Sequence, residues 1–175
     1  VSCASREEAA FAGGSRLMLS VRVIGVLHVK NTLVIKGVQF EGLRALGKPD
    51  VFARYYSAQG IDELVLLDVV ASLYQRTFQP EVIRRVADAT FLPLTVGGGV
   101  RSAADAVSLL RVGADKVIVN TAGVARPSLL SEIASINGCQ SLVVLIEARR
   151  HDRLGWEVMT NSSRECSGRS AVAWA

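Results

Sequence analysis

Residues 92–102 read Leu-Pro-Leu-Thr-Val-Gly-Gly-Gly-Val-Arg-Ser, a short apolar run that breaks into three glycines and then into a serine able to cap a helix. A β-branched run of that length, followed by turn residues and a helix start, is the signature of one βα unit. The same pattern recurs on both sides. Upstream, residues 21–29 and 64–70 are apolar and β-branched, and downstream so are 116–120 and 142–146. Between them the spacing predicts helices over 48–59, 80–89 and 102–111, with a fourth beginning at Pro127. Pro80 suits a first helical position, Ser102 an N-cap and Gly113 a stop. In the first helix Val51, Phe52, Tyr55 and Tyr56 are expected to share one face. Strands alternating with helices form a parallel sheet, so the expected fold is α/β, a partial TIM (β/α)8 barrel of about five strands and four helices. Residues 33–40 and 149–165 read as hairpins set into loops, and 170–175 as the first turns of a further helix.

A closed eight-stranded barrel typically takes roughly 250 residues, and this chain has 175. The expectation is therefore one truncated barrel over 21–175. Residues 1–20 are rich in Ala, Ser and Gly, lack a period, and are expected to be a disordered extension, with Met18 a candidate start. Glu7 and Glu8 interrupt the place where the apolar core of a secretory signal would form.

Half the residues are hydrophobic, enough for a real core, yet no apolar run is long enough to span a bilayer. The formal net charge is +4, with Lys and Arg scattered along the chain. That balance favours anionic small molecules over nucleic acid, and phosphate is the simplest such partner. Cys3, Cys139 and Cys166 form no CxxC pair, which argues against zinc and against a disulfide framework, and for free thiols in the cytoplasm.

Ligands of parallel α/β folds sit at the carboxyl ends of the strands, so the residues there decide the chemistry. Gly97, Gly98 and Gly99 let backbone N–H groups converge without side-chain obstruction, and the helix start at Ser102 adds partial positive charge. Together these favour phosphate. Asn120 and Thr121 end the next strand and offer an amide and a hydroxyl to the same region. His28 and Glu147, at the ends of the first and fifth strands, would face each other across a barrel mouth and could move protons. A lone histidine among apolar residues can equally be a hydrogen-bonded core residue, and Glu147 could pair with Arg149. Asp68 ends the second strand, where an unpaired buried carboxylate would be costly, so a partner such as Lys36 or a substrate group is expected. Arg22, Glu63 and Lys116 start strands one, two and four, where they could meet as a charged ring at the barrel floor or simply solvate strand ends.

The segments VRVIGVLHVKN, VIKGVQFEGL, GIDELVLLDVVAS, PLTVGGGVRS, GADKVIVNTA and PSLL occur in that order and resemble the cyclase subunits of imidazole glycerol phosphate synthase, the HisF family of histidine biosynthesis. The resemblance runs from about Val21 to the end. It implies a barrel of two similar halves, each with one phosphate site for a substrate bearing two phosphates, and no cofactor or metal. It also implies a glutaminase (HisH-like) partner that docks at the floor and sends ammonia along the axis. The ammonia combines with a phosphoribulosyl-formimino-carboxamide ribonucleotide to give imidazole glycerol phosphate and an aminoimidazole carboxamide ribotide. By matching position, Gly99, Asn120 and Thr121 correspond to the first phosphate site, and Arg22, Glu63 and Lys116 to members of the ammonia gate. Asp115 corresponds to a partner-interface residue, and Lys36 and Asp68 to further active-site positions.

The family uses aspartate at both positions of the catalytic pair, where this chain has His28 and Glu147. Glutamate keeps the charge but moves the carboxylate outward by about a methylene, and a misplacement of about 1 Å can cost on the order of a hundredfold in rate. Related barrels that support amidation of bacterial surface sugars change these positions, which makes such a paralogue the alternative enzyme reading. A non-catalytic half-barrel that binds a glutaminase, or associates with itself through open strand edges, is the alternative of a different class.

Overall fold

The structure, a computed structural model, describes residues 21–38 and 41–175; the segment expected to be a disordered extension, with Cys3 and Met18, lies outside the described residues. Five parallel strands form the centre: β1 (Ile24–Lys30), β4 (Glu63–Asp68), β5 (Leu94–Gly97), β6 (Lys116–Val119) and β7 (Leu142–Val144). Two antiparallel strands, β2 (Leu33–Val38) and β3 (Glu41–Gly47), extend the sheet beyond β1, giving the order β3-β2-β1-β4-β5-β6-β7. The parallel registers are regular, with Val26 opposite Val65, Leu66 opposite Val96, and Val96 opposite Val117. This is the expected partial (β/α)8 barrel, open between β3 and β7.

Alternation along each strand sorts the side chains into two faces. Leu27, Val29, Leu64, Leu66, Leu94, Val96, Val117 and Val119 point outward and are buried beneath the helices. Those helices are α1 (Pro49–Ala58), α2 (Pro80–Ala89), α3 (Ala103–Val112) and α5 (Ser128–Asn137), which supply Ala53, Val82, Ile83, Val86, Ala106, Leu109, Leu129 and Ile133 to the same core. The inner face is the axis of the barrel. On its β1 side it is open, leaving Ile24 49% and Val26 50% exposed.

Several expectations are corrected. In α1 the inward face is carried by Pro49, Phe52, Ala53 and Tyr56, at helical spacing, whereas Val51 and Tyr55 are exposed. The first strand runs over Ile24–Lys30 instead of 21–29, its end extended because Val29 and Lys30 pair with Val34 and Leu33 of the hairpin. That hairpin continues to Gly47 instead of closing near residue 40. A short helix α4 (Thr121–Ala125) precedes α5, so Pro127 caps the second of two helices. The second hairpin is a three-stranded antiparallel sheet, β8 (Glu147–His151), β9 (Gly155–Thr160) and β10 (Glu165–Ser170), followed by α6 (Ala171–Trp174). Val158, Ala171, Ile146 and Trp174 pack against Val124 of α4, which fixes this small sheet over the strand ends near β6. Among the described residues, no helix is long and apolar enough to cross a membrane.

Candidate functional site

A cavity of about 430 Å3 opens at the carboxyl ends of the parallel strands. Its walls bring together Asp68 from β4, Gly98 and Gly99 after β5, Asn120 and Thr121 after β6, and Glu147 after β7. These residues span 80 positions of sequence, and only the strand order makes them neighbours. Gly97, His28 and Lys36 are not among the lining residues. Gly97 belongs to the wall of β5, where an added Cβ would press on Ile118 and Leu67. Lys36 is exposed in β2, opposite Arg44.

The glycine turn is required by its packing. Gly98 and Gly99 have φ of 114° and 75°, which other residues rarely adopt. A Cβ on Gly98 would lie 2.6 Å from the Asp68 carbonyl oxygen, and one on Gly99 would overlap the carbonyl of Arg76. The start of α3 is less available to a ligand than its sequence suggests. Asp105 Oδ2 accepts from the backbone N–H of both Arg101 and Ser102 at 3.0 Å, while Ser102 Oγ accepts from Asp105 N at 3.1 Å. This closed capping box already satisfies those donors and offsets the positive helix end. The polar groups left at this end of the cavity are those of the glycine turn, Asn120 and Thr121. The Asn120 side-chain oxygen is buried with no hydrogen-bond partner, a group left for a ligand or a solvent molecule to satisfy.

Asp68 has a partner that sequence reasoning missed. Its side chain is 1% exposed, with Oδ2 2.8 Å from Arg76 Nη2, and Oδ1 accepts from Val70 N at 3.0 Å. Burial pushes its pKa up, and the Val70 N–H and Arg76 guanidinium oppose that shift. Arg76 also donates to Asn31 Oδ1 at 3.2 Å, so one side chain ties the loops after β1 and β4 together, and its carbonyl abuts Gly99. Neither Lys36 nor a ligand is needed to neutralise Asp68. No short-range spacing signals this pairing, because Arg76 lies at the far end of an irregular loop in which Gln75 takes φ 49°.

Glu147 does not pair with Arg149. Its Oε2 accepts from both the backbone N–H and the hydroxyl of Ser163, at 2.8 and 3.1 Å. The turn carrying Ser163 has three successive left-handed residues, Asn161, Ser162 and Ser163. It is latched across the strand ends: Asn161 N donates to Thr121 Oγ1 at 3.0 Å, and Ser162 Oγ to the Val69 carbonyl at 2.6 Å. Asn161 and Ser162 thereby become part of the cavity wall. Arg149 instead donates to Cys166 Sγ and lies 4.0 Å from the buried Glu157.

His28 sits in β1 opposite Leu67, on the face that holds Ile24 and Val26. It is partly buried, and burial lowers its pKa by disfavouring the charged imidazolium. Four strand spacings separate β1 from β7, roughly 19 Å along the sheet. His28 and Glu147 thus flank the mouth without sharing the cavity.

At the opposite end, Arg22 and Lys116 converge on Glu63, which is buried. Arg22 Nη1 contacts Oε1, and Lys116 Nζ donates to Oε2 at 3.1 Å. The bonds from Lys116 and then Arg22 hold the Glu63 carboxyl below its ordinary range. A charged floor is therefore present. Asp115 turns to the backbone, accepting from Leu94 N at 2.7 Å.

Over residues 22–175 the chain matches the family described as Histidine biosynthesis protein. It is 49% identical over 158 residues to imidazole glycerol phosphate synthase subunit HisF of Legionella pneumophila, an alignment covering 90% of this chain and 74% of that protein. The subunit of the same name from Streptomyces coelicolor is 50% identical over 159 residues, covering 91% of this chain and 63% of that protein. That of Mycobacterium tuberculosis strain H37Ra is 49% identical over 170 residues, covering 94% and 62%. The chain spans about three quarters of the length of the first relative and under two thirds of the other two.

Proposed function

Because this chain belongs to the family of histidine biosynthesis proteins, we propose that it acts as a HisF-type cyclase subunit of imidazole glycerol phosphate synthase, binding a phosphorylated ribonucleotide at its strand ends. The observation that carries the proposal is the convergence of Asp68, Gly98, Gly99, Asn120, Thr121 and Glu147 from four strand ends on one cavity. In this reading a phosphoryl group lodges at the glycine turn beside Asn120 and Thr121. Glu147 acts as the proton carrier beside the ring that closes, Asp68, held by Arg76, orients the substrate there, and His28 faces the far side of the mouth. The cyclisation condenses ammonia with the open-chain ketone, releasing water, then closes the ring on the formimino carbon and releases the aminoimidazole carboxamide ribotide. Protons must therefore be taken from the attacking nitrogen and given to the departing oxygen and nitrogen.

The floor supports the other half of the reaction. Arg22, Glu63 and Lys116 surround the axis at the end remote from the cavity, where ammonia from a glutaminase partner would enter, with Asp115 at the docking face. The relatives' names describe a subunit of imidazole glycerol phosphate synthase, which supports a partner, and that name together with the family's description as a histidine biosynthesis protein supports this substrate over a surface-sugar amidation route.

The test is a titration of the isotope-labelled chain with the bis-phosphorylated ribonucleotide substrate. Saturable shifts of the Gly98, Gly99 and Thr121 amides are expected. A titration that leaves those amides unmoved while shifting others would overturn the site assignment.

A further inference from the structure

We propose that Arg101 is an anion-binding residue of the strand-end cavity, its guanidinium supplying the positive charge that a phosphoryl group at the glycine turn requires. This rests on the reading of the cavity as a phosphate site and adds to it the residue that confers charge complementarity.

Asp68 and Glu147 are both in the cavity walls; Arg76 neutralises the first, Glu147 has no cationic partner among the described residues, and among the lining residues Arg101 is the cation. A dianionic ligand placed beside the Glu147 carboxylate is repelled unless a fixed positive charge faces it. Arg76 is not among the lining residues and meets Asp68 and Asn31 through Nη2, while Arg22 and Lys116 pair with Glu63 at the far end of the strands. The helix start that would ordinarily serve an anion is closed by its own Asp105, which takes the backbone N–H groups of Arg101 and Ser102.

Arg101 is also placed for the task. It follows the glycine turn by two residues, and its Nη1 donates to the Gln75 carbonyl at 2.6 Å, across the cavity rim. Gln75 lines the cavity as well, and its left-handed backbone at φ 49° belongs to the turn that meets the guanidinium. A guanidinium carries five N–H donors in a planar fork, so one bond to a carbonyl fixes its position and leaves donors to grip a phosphoryl group bidentately. Because the capping box uses the backbone N–H of Arg101, changing its side chain leaves the start of α3 intact.

Inorganic phosphate is the probe, added at constant ionic strength to labelled wild-type chain, Arg101→Gln and Arg101→Lys, with the Gly98, Gly99 and Thr121 amides followed and thermal midpoints recorded alongside. Loss of a charge-assisted bond should weaken phosphate binding about tenfold or more in Arg101→Gln. Arg101→Lys, which keeps the charge but not the fork, should fall between the two. Equal affinity in Arg101→Gln and wild type would overturn the assignment and leave Arg101 as a strap to Gln75. Absence of saturable phosphate binding in the wild type would instead overturn the phosphate-site reading, and the role of Arg101 with it.

Discussion

Replacing Arg76 with Met leaves the Asp68 carboxylate buried without its cation, and the structure sets the size and pH dependence of the result. The Asp68 side chain is 1% exposed and that of Arg76 25%, so the pair is only partly screened by solvent. Removing one partner of a buried pair typically costs about 3–5 kcal/mol. Asp68 can limit the loss by taking up a proton. From its ordinary value of 3.8, at about 1.4 kcal/mol per unit, protonation at pH 7 costs at most about 4 kcal/mol, and burial reduces that figure by raising the pKa. The expected destabilisation at pH 7 is therefore about 2–4 kcal/mol. The sign with pH follows from linkage: Arg76 opposes the upward shift, so its loss raises the folded-state pKa further above the unfolded value. A group so raised binds its proton more tightly when folded. Stability is lost as pH rises from the unfolded value near 3.8 through the folded one. Urea unfolding of wild type and Arg76→Met at pH 4 and pH 7 reads this directly, with Asn31→Ala subtracting the second bond of Arg76. A gap between the two proteins that narrows markedly at pH 4 is expected. A gap that is the same at both values would refute the idea that Arg76 acts through the charge of Asp68.

Gly99→Ala should cost at least about 2 kcal/mol, since it places a Cβ in a left-handed residue and into the Arg76 carbonyl, and should abolish phosphate binding in the same titrations. Glu63→Gln should lower stability by about 1 kcal/mol at pH 7, because Arg22 is largely exposed and Lys116 about a third so. The lowered pKa of Glu63 means that its contribution is present above pH 4.5 and lost as pH falls through the folded value, so chemical unfolding followed downward from pH 4.5 should show the gap between variant and wild type shrinking. The 175 residues assayed alone, with the ribonucleotide and free ammonia, should give no detectable cyclase product, because the inner face is open to water at Ile24 and Val26 and the cavity proposed for phosphate would anchor only one end of a bis-phosphorylated substrate. Robust turnover that depends on Glu147 would show that this open site is sufficient.

The parallel strands were legible because each is buried against helices and reads as a short apolar run between turn signals, as in Leu64-Val65-Leu66-Leu67. The strand-end residues followed from that placement, since Asp68, Gly98, Gly99, Asn120, Thr121 and Glu147 sit where parallel topology concentrates ligand groups. What escaped was non-local or polar. The strand Glu165–Ser170 contains Glu, Cys, Ser, Gly and Arg with no alternation, and it is held by pairing to β9 through an irregular register. The contacts of Ser163 with Glu147 and of Arg76 with Asp68 depend on loop conformations, three left-handed residues in one case and one in the other; Asn161-Ser162-Ser163 marks a turn but does not say which side chain it delivers to Glu147. One missed feature was readable. Ser102 followed three positions later by Asp105 is a capping-box spacing, and taking both halves would have shown that the start of α3 is satisfied internally.

The most direct test of the central claim is a crystal structure of the chain with the bis-phosphorylated ribonucleotide. The account predicts one phosphoryl group against Gly98 and Gly99, within hydrogen-bonding reach of Thr121 and the Arg101 guanidinium, with the remainder of the ligand extending toward Asp68 and Glu147. A ligand bound elsewhere with the strand-end cavity empty, for example against the arginines of the small antiparallel sheet, would contradict it.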